Sequence, residues 1–278
     1  MTPALASPRT NLPSLRRMGS DAPAFTVLAM LLALGLVPLY AAMALDTRVF
    51  QGESPWMKPV KFHYALVFYT VSLAFFARFM PEATRQGRPW RWFSAAVVAA
   101  IAAEVIWLAG AAMLNTASHF NTEEPFLAAI YPLMGIIAVL LTSASLVMGI
   151  SVWRNRSTGL APALHLAVAL GLVLTFLLTV PVAGHLAGAG GHFVGNSTRE
   201  LWLLGWSRDA GDLRVAHFLA THALHFIPVA GLVAVWAIPA QASRAVWLAA
   251  ALFVALVGLT FVQALQGWPF LPFLPFLG

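Results

Sequence analysis

Cysteine is absent from all 278 residues. That excludes disulfides, thiolate metal sites, iron–sulfur clusters and covalently attached c-type haem, and it leaves imidazole and carboxylate as the natural metal ligands. Charge is scarce as well: 9% of residues are Asp, Glu, Lys or Arg, where a soluble domain carries roughly a quarter. With 60% hydrophobic residues and a mean hydropathy of +0.81, the chain has lipid as its main solvent. The alternation over ~10 residues that marks a transmembrane barrel is missing, and so is any helical repeat of fixed period.

What the chain does have is apolar runs of spanning length. A hydrocarbon core of about 30 Å takes roughly 20 helical residues, and such runs cover about 24–45, 59–80, 93–114, 125–153, 160–187, 215–237 and 245–265. The expected fold is an all-α membrane protein, a bundle of seven transmembrane helices. Residues 1–22, rich in Ser, Pro and Arg, read as a mobile cytoplasmic tail; 23–267 as the seven-helix domain; 268–278 as a Pro/Phe-rich interfacial segment. The prolines of that last segment exclude a helix, and its aromatics suit a membrane surface. The first run is too long for the apolar region of a signal peptide.

Arginine placement sets the expected orientation. Arg9, Arg16 and Arg17, then Arg78, Arg85, Arg88 and Arg91, then Arg154 and Arg156, then Arg244 fall on one side of a seven-span chain. The loops of the other side mix signs: Asp46, Arg48, Glu53 and Lys58; Glu123 and Glu124; Arg199, Glu200, Arg208, Asp209, Asp212 and Arg214. The positive-inside rule then puts the N-terminus in the cytoplasm and the C-terminus outside. The net charge of +6 is a topology signal and not a nucleic-acid footprint. Ala/Leu/Arg-rich usage points to a bacterial inner (plasma) membrane.

With that topology the histidines are lopsided. His165 alone falls toward the cytoplasmic half; His63, His119, His185, His192, His217, His222 and His225 fall in the outer half or outer loops. At 100° per residue, His217, Thr221, His222 and His225 share one side of the sixth helix, expected to face the bundle. Leu219, Ala220, Ala223 and Ile227 share the other, expected to face lipid. Pro228 is expected to kink this helix and free a carbonyl, and Pro181 to loosen the fifth. Glu104, the only carboxylate deep inside a span, lies about 15 Å below the outer end of the third helix, on a stripe with Val97, Ala100, Leu108, Ala111 and Asn115. An intramembrane carboxylate is by default a functional candidate.

These residues support several functions. The first is an outward-facing metal or haem site for redox or hydrolytic chemistry. A Zn, Cu or Fe ion would draw on His217, His222, His225 and Glu104, with Glu104 as ligand or general base. A haem b would take axial imidazoles from His63 or His185 opposite His217 or His222, with Lys58 and Lys61 beside its propionates; both lysines otherwise snorkel to the surface. The second is a proton-coupled transporter relaying through Glu104 and His225. The third is a non-catalytic assembly or sensor subunit. The lipid bilayer is the one certain partner; a small lipophilic substrate or a redox partner is the further expectation.

Trp56 to Phe62, Ser118-His119-Phe120-Asn121 and Gly211 to Phe218 together resemble a family of bacterial multi-pass membrane proteins to which no activity is attached. The resemblance runs from the second helix to the sixth. It implies the membrane class and no mechanism. The seventh run has no lysine for the retinal Schiff base of a microbial rhodopsin, and the chain carries no complete signature of the alkaline ceramidase-like hydrolases.

Overall fold

The computed structural model describes residues 15–121, 125–201 and 204–271. Arg9, Glu123, Glu124 and the stretch 272–278 lie outside them. The described chain is helical nearly throughout: α1 (Leu15–Asp21), α2 (Pro23–Leu45), α3 (Met57–Phe76, extended by a 3₁₀ turn Ala77–Phe79), α4 (Glu82–Gln86), α5 (Arg88–Met113), α6 (Pro125–Arg154) and α7 (Pro162–Gly188) come first. A two-residue hairpin follows, β1 (Phe193–Val194) antiparallel to β2 (Gly211–Asp212). Then come α8 (Leu213–Thr221), α9 (Ala223–Ala237) and α10 (Ala242–Leu265). Proline stands in the first turn of α2, α5 and α7, where its missing N–H costs nothing.

Six of these helices are long and apolar enough to cross a membrane: α2, α3 with its 3₁₀ turn, α5, α6, α7, and α10 with the turn before it. The pair α8–α9 reaches spanning length only as a unit bent by 55°. The sixth run is thus a bent pair of helices and not one continuous helix. Residues 15–22 also depart from the mobile tail expected of them. α1 docks through buried Met18, and Asp21 pairs with Arg85.

α7 is the central helix, packed against α6, α8, α9 and α10, while α3 packs against α2, α5 and α6. Between lipid-bathed helices there is no hydrophobic drive, so association rests on close backbone approach and interhelical hydrogen bonds. Both are present. A Cβ at Gly231 of α9 would lie 2.3 Å from the Ala167 Cβ of α7, so only glycine fits. The Tyr69 hydroxyl of α3 donates to the Leu141 and Thr142 carbonyls of α6, at 3.0 and 3.2 Å. The large core joins Phe25, Leu73, Val97, Ile101, Met148 and Leu172; a second, built mostly of alanine, joins Ala163, Ala167, Ala223, Ile227, Val246 and Ala250.

The bend falls at His222, upstream of Pro228, which sits inside α9. Pro228 is therefore not the break point that was expected. Its ring instead lies against α7: a Cβ at Gly171 would come within 2.8 Å of the Pro228 Cδ and 3.0 Å of the Ala223 oxygen. A helix restart leaves backbone N–H groups without intrahelical partners. Here the Leu224 N–H is taken by the Thr175 hydroxyl of α7 at 2.8 Å, and that hydroxyl donates to the Gly171 carbonyl at 2.9 Å. The arc expected to face lipid is in fact packed: Ala220, Ala223 and Ile227 are buried against α7 and α10. Small side chains let the bent pair sink in on that face. Pro181 leaves α7 unbroken.

Candidate functional site

Contacts between loops define the two ends of the bundle. At one, Arg85 meets Asp21 and the Asn155 amide donates to the Phe79 carbonyl; this is the arginine end. At the other, the Arg48 guanidinium reaches the Met113 carbonyl and Arg208 reaches the Phe270 carbonyl. The histidines gather there, and it is called the histidine end. The described part of the C-terminal segment folds back at this end, with Phe270 against Trp206.

The stripe on α5 is buried as its spacing requires: Val97, Ala100, Glu104, Leu108 and Ala111 are all inside. Glu104 is 5% exposed and stands about 14 Å along the axis from Met113. The charge that acts on it is that of Lys58, half-buried at the start of α3. The Tyr131 ring of α6 lies in the same field. No ion pair or hydrogen bond closes directly on Glu104 or Lys58 among the described residues.

His119 and His192 lie within the field of Lys58. The loop after α5 is fixed by its own hydrogen bonds: the Trp107 indole donates to the Ser118 carbonyl at 2.8 Å, and Asn121 donates to Thr116 and Ala117. His119 thereby sits against Phe62 and Tyr131, with ring centroids 6.0 and 5.5 Å away. Phe120 is wedged between Tyr131 and His192 at 5.9 and 5.3 Å. Its backbone is left-handed, at φ 59°, a conformation costing a bulky residue about 1–3 kcal/mol and held here by the surrounding rings. The β1–β2 pairing and a hydrogen bond from the Leu213 N–H to the His192 carbonyl place His192.

Burial pushes the His119 imidazole down to about 3, helped by the positive charge of Lys58 and by His192 and His217. Burial likewise brings His192 down to about 4, with Arg214 and Lys58 adding to it and Asp212 opposing. Both rings are neutral at pH 7. This end thus brings one lysine and one carboxyl group near two uncharged imidazoles. Trp56–Phe62, Ser118–Asn121 and Gly211–Phe218, the segments that carried the resemblance, supply Lys58, His119 and His217 to it.

From this site the imidazoles continue along the bent pair. His217 faces His222, whose ring centroid lies 5.2 Å from that of His225. His222 stacks on Phe218 at 4.0 Å and its Nδ1–H donates to the Phe218 carbonyl at 2.8 Å. The Nε2 of His225 bonds the Ser72 hydroxyl of α3 at 2.8 Å, while Ser72 donates its one proton to the Phe68 carbonyl at 2.7 Å. The network therefore assigns the His225 proton to Nε2. Nδ1 of His225 is left buried with no hydrogen-bond partner.

Several expected constellations are not assembled. Glu104 and His225 do not meet: α5 packs on α2, α3 and α6, α9 packs on α7 and α10, and α3 stands between, offering Lys58 to one and Ser72 to the other. Among the described residues no three His, Asp or Glu side chains converge as metal ligands, so His217, His222, His225 and Glu104 do not form the expected set. The expected haem ligands have partners of their own. His63 donates from Nδ1 to the Pro59 carbonyl and turns Nε2 toward Gly35 of α2. His185 is exposed and packs on Phe261 of α10. Lys61 is a surface residue paired with Glu53 at 3.5 Å.

The sequence reading missed Tyr131 and Ser72, lone hydroxyls in apolar runs with nothing local to distinguish them. It also left His119 and His192 undistinguished among the outer histidines, where both are half-buried against aromatic rings. Comparison with protein-family models, with curated proteins and with solved structures finds no match to this chain.

Proposed function

We propose that the protein is a proton-coupled solute carrier of a bacterial inner membrane. In this reading α8–α9 is one bent span, the bundle has seven, the N-terminus is cytoplasmic and the histidine end faces outward. Lys58 and Glu104 form the solute site beside His119 and His192, and His217, His222 and His225 carry the proton inward to Ser72.

The observation that supports the reading is a gathering of titratable groups at one end: the buried carboxyl of Glu104, the half-buried Lys58, and His217, His222 and His225 along a bent span. Intramembrane Glu and His mark proton relays, and interrupted helices are where carriers build their sites. A relay needs each imidazole to hold one proton and one free lone pair, and His225, protonated on Nε2 and bare on Nδ1, meets that requirement. The sequence-based metal and haem readings lose their support because their ligands point to separate neighbours.

The test is proton movement in proteoliposomes with a pH dye inside, exposed in turn to amino acids, monocarboxylates, amines and sugars. One class should acidify the lumen. Glu104→Gln and His225→Ala should each cut the rate at least tenfold, and Lys61→Gln should leave it intact. A wild-type protein that moves protons with no class, or a Glu104→Gln protein that keeps the full rate, would falsify the carrier reading.

A further inference from the structure

α2 packs mainly on α3 and meets α5 where Phe25 touches Trp90, with ring centroids 6.1 Å apart. Beside that contact the two helices leave an apolar cavity of about 380 Å³, lined by Pro23, Ala24, Val27, Leu28 and Leu31 of α2 and by Val98 of α5. Val27 and Leu31 are 50% and 60% exposed, so the cavity is a groove open to the side. Ala95 and Ala102 stand one turn before and after Val98, and α5 therefore has little bulk with which to fill it. From Pro23 to Leu31 the groove runs about 12 Å along the helix, within one half of a hydrocarbon core of about 30 Å.

Cationic side chains stand at the arginine end of this groove. Arg91 precedes Val98 by two turns, which puts it on the same face of α5 and about 10 Å nearer that end. Helical side chains lean toward the N-terminus of their helix, and α5 starts at the arginine end. Arg91 is exposed and gives one N–H to the Gln86 carbonyl at 3.1 Å; Arg88, three residues before it, is exposed too. Neither has a carboxylate partner among the described residues: Asp21 is held by Arg85, and Glu82 accepts from the Gln86 amide at 2.7 Å. Both arginines open α5 with no acid in its first turn, where the helix dipole repels positive charge. Trp92, 77% exposed beside them, suits headgroup depth.

We infer that the groove and Arg91 bind one anionic phospholipid, with an acyl chain along Val27, Leu31 and Val98 and the phosphate on Arg91, Arg88 beside it. A guanidinium matches a phosphate through two parallel hydrogen bonds, and a lateral apolar groove matches a chain. A zwitterionic lipid would fill the groove but bring its own cation up to the arginines. A free phosphate would meet the arginines and leave the groove empty. An apolar helix of another subunit would cover the groove and leave the arginines without a counter-charge. The site is separate from the histidine end and holds whichever solute the protein moves.

The experiment is native mass spectrometry of the full-length protein in detergent, titrated with dioleoyl phosphatidylglycerol and, separately, with dioleoyl phosphatidylcholine, which has the same chains. The first phosphatidylglycerol should bind roughly fivefold tighter than the first phosphatidylcholine, the scale of one arginine acting on anionic lipid. Arg91→Gln should remove that preference. Val27→Trp, which fills the groove from an exposed position, should weaken the first site for both lipids. Arg154→Gln, at the exposed end of α6, should leave the preference intact, and glycerophosphoglycerol, the headgroup without chains, should not compete. The wild-type comparison of the two lipids stands even if a variant fails to fold. Equal binding of both lipids, a loss from Arg154→Gln as large as that from Arg91→Gln, or competition by the chainless headgroup overturns the inference. So does a protein dimer that Val27→Trp dissolves while lipid binding is unchanged.

Discussion

The bend at His222 is held by a hydroxyl from a different helix, and removing that hydroxyl tests the account of the bend directly. Thr175→Val keeps the size and branching of a side chain that is 1% exposed and deletes the acceptor of the 2.8 Å bond from the Leu224 N–H. Leaving a buried donor unsatisfied costs about 1–3 kcal/mol; interhelical hydrogen bonds in membranes average nearer 0.6 and reach about 1.7. The expected loss is therefore about 1–2 kcal/mol, a factor of roughly 5–30 in the folded population. Thr175→Ser keeps the hydroxyl and loses one methyl, worth at most about 0.8 kcal/mol.

Stability is read by unfolding in mixed detergent, and the bend by spin-label distances. Without Thr175 the Leu224 N–H regains a partner only if α8 and α9 merge, so that it bonds the carbonyl four residues back, that of Ala220. The chain has no native cysteine, so labels placed on the exposed Trp153 and Trp236 positions report α9 cleanly against α6. Thr175→Val should shift or broaden that distance, and Thr175→Ser should not. If the serine variant is the less stable of the two, or the valine variant keeps the wild-type distance and stability, the trans-helix cap is not what holds the bend.

Acid should loosen the histidine end. His119 and His192 sit far below the ordinary imidazole value of 6.5, so the unfolded chain binds more protons than the folded one between that value and about 4. Their contribution to stability is complete above pH 6.5 and is lost as pH falls toward 4. Protection of the 114–121 and 191–201 backbone from hydrogen exchange should drop over this window, and His119→Gln with His192→Gln should flatten the dependence. As for topology, reporter fusions at Arg88 and Gly190 should report opposite sides of the membrane, with Arg88 inside; matching sides would end the seven-span arrangement.

Much of the fold could be read from sequence because lipid imposes a simple rule. Helices must run the thickness of the bilayer, and apolar length reveals them: six of the expected runs coincide with single spanning helices to within a turn or so. The α5 stripe was legible for the same reason, a 3.6-residue period holding Val97 to Ala111 on one face. The site was legible only in part. Helical-wheel angles assume an unbroken helix, and His222 breaks this one, so arcs drawn through it assigned Ala220 and Ala223 to lipid. The pairing of Glu104 with His225 rested on matching depth, but depth fixes one coordinate of three. Which helix stands between is decided by close approaches such as Gly231 on Ala167 and Gly171 on Pro228, whose partners lie far apart in the chain. The surroundings of His119 and His192 were not legible because the rings packed on them come from α3, α6 and two separate loops.

The hairpin before α8 has a mechanical consequence. A Cβ at Gly211 would lie 2.0 Å from the Ala264 carbonyl oxygen of α10, so strand and helix are pressed backbone to backbone with nothing compressible between them. β2 passes straight into α8, and β1 carries the chain on from His192. A tilt of α10 cannot be absorbed at that contact; it is handed on to the start of α8 and to His192. α10 thus bears directly on the hairpin, and residue 211 admits no side chain because a Cβ there would overlap the Ala264 carbonyl.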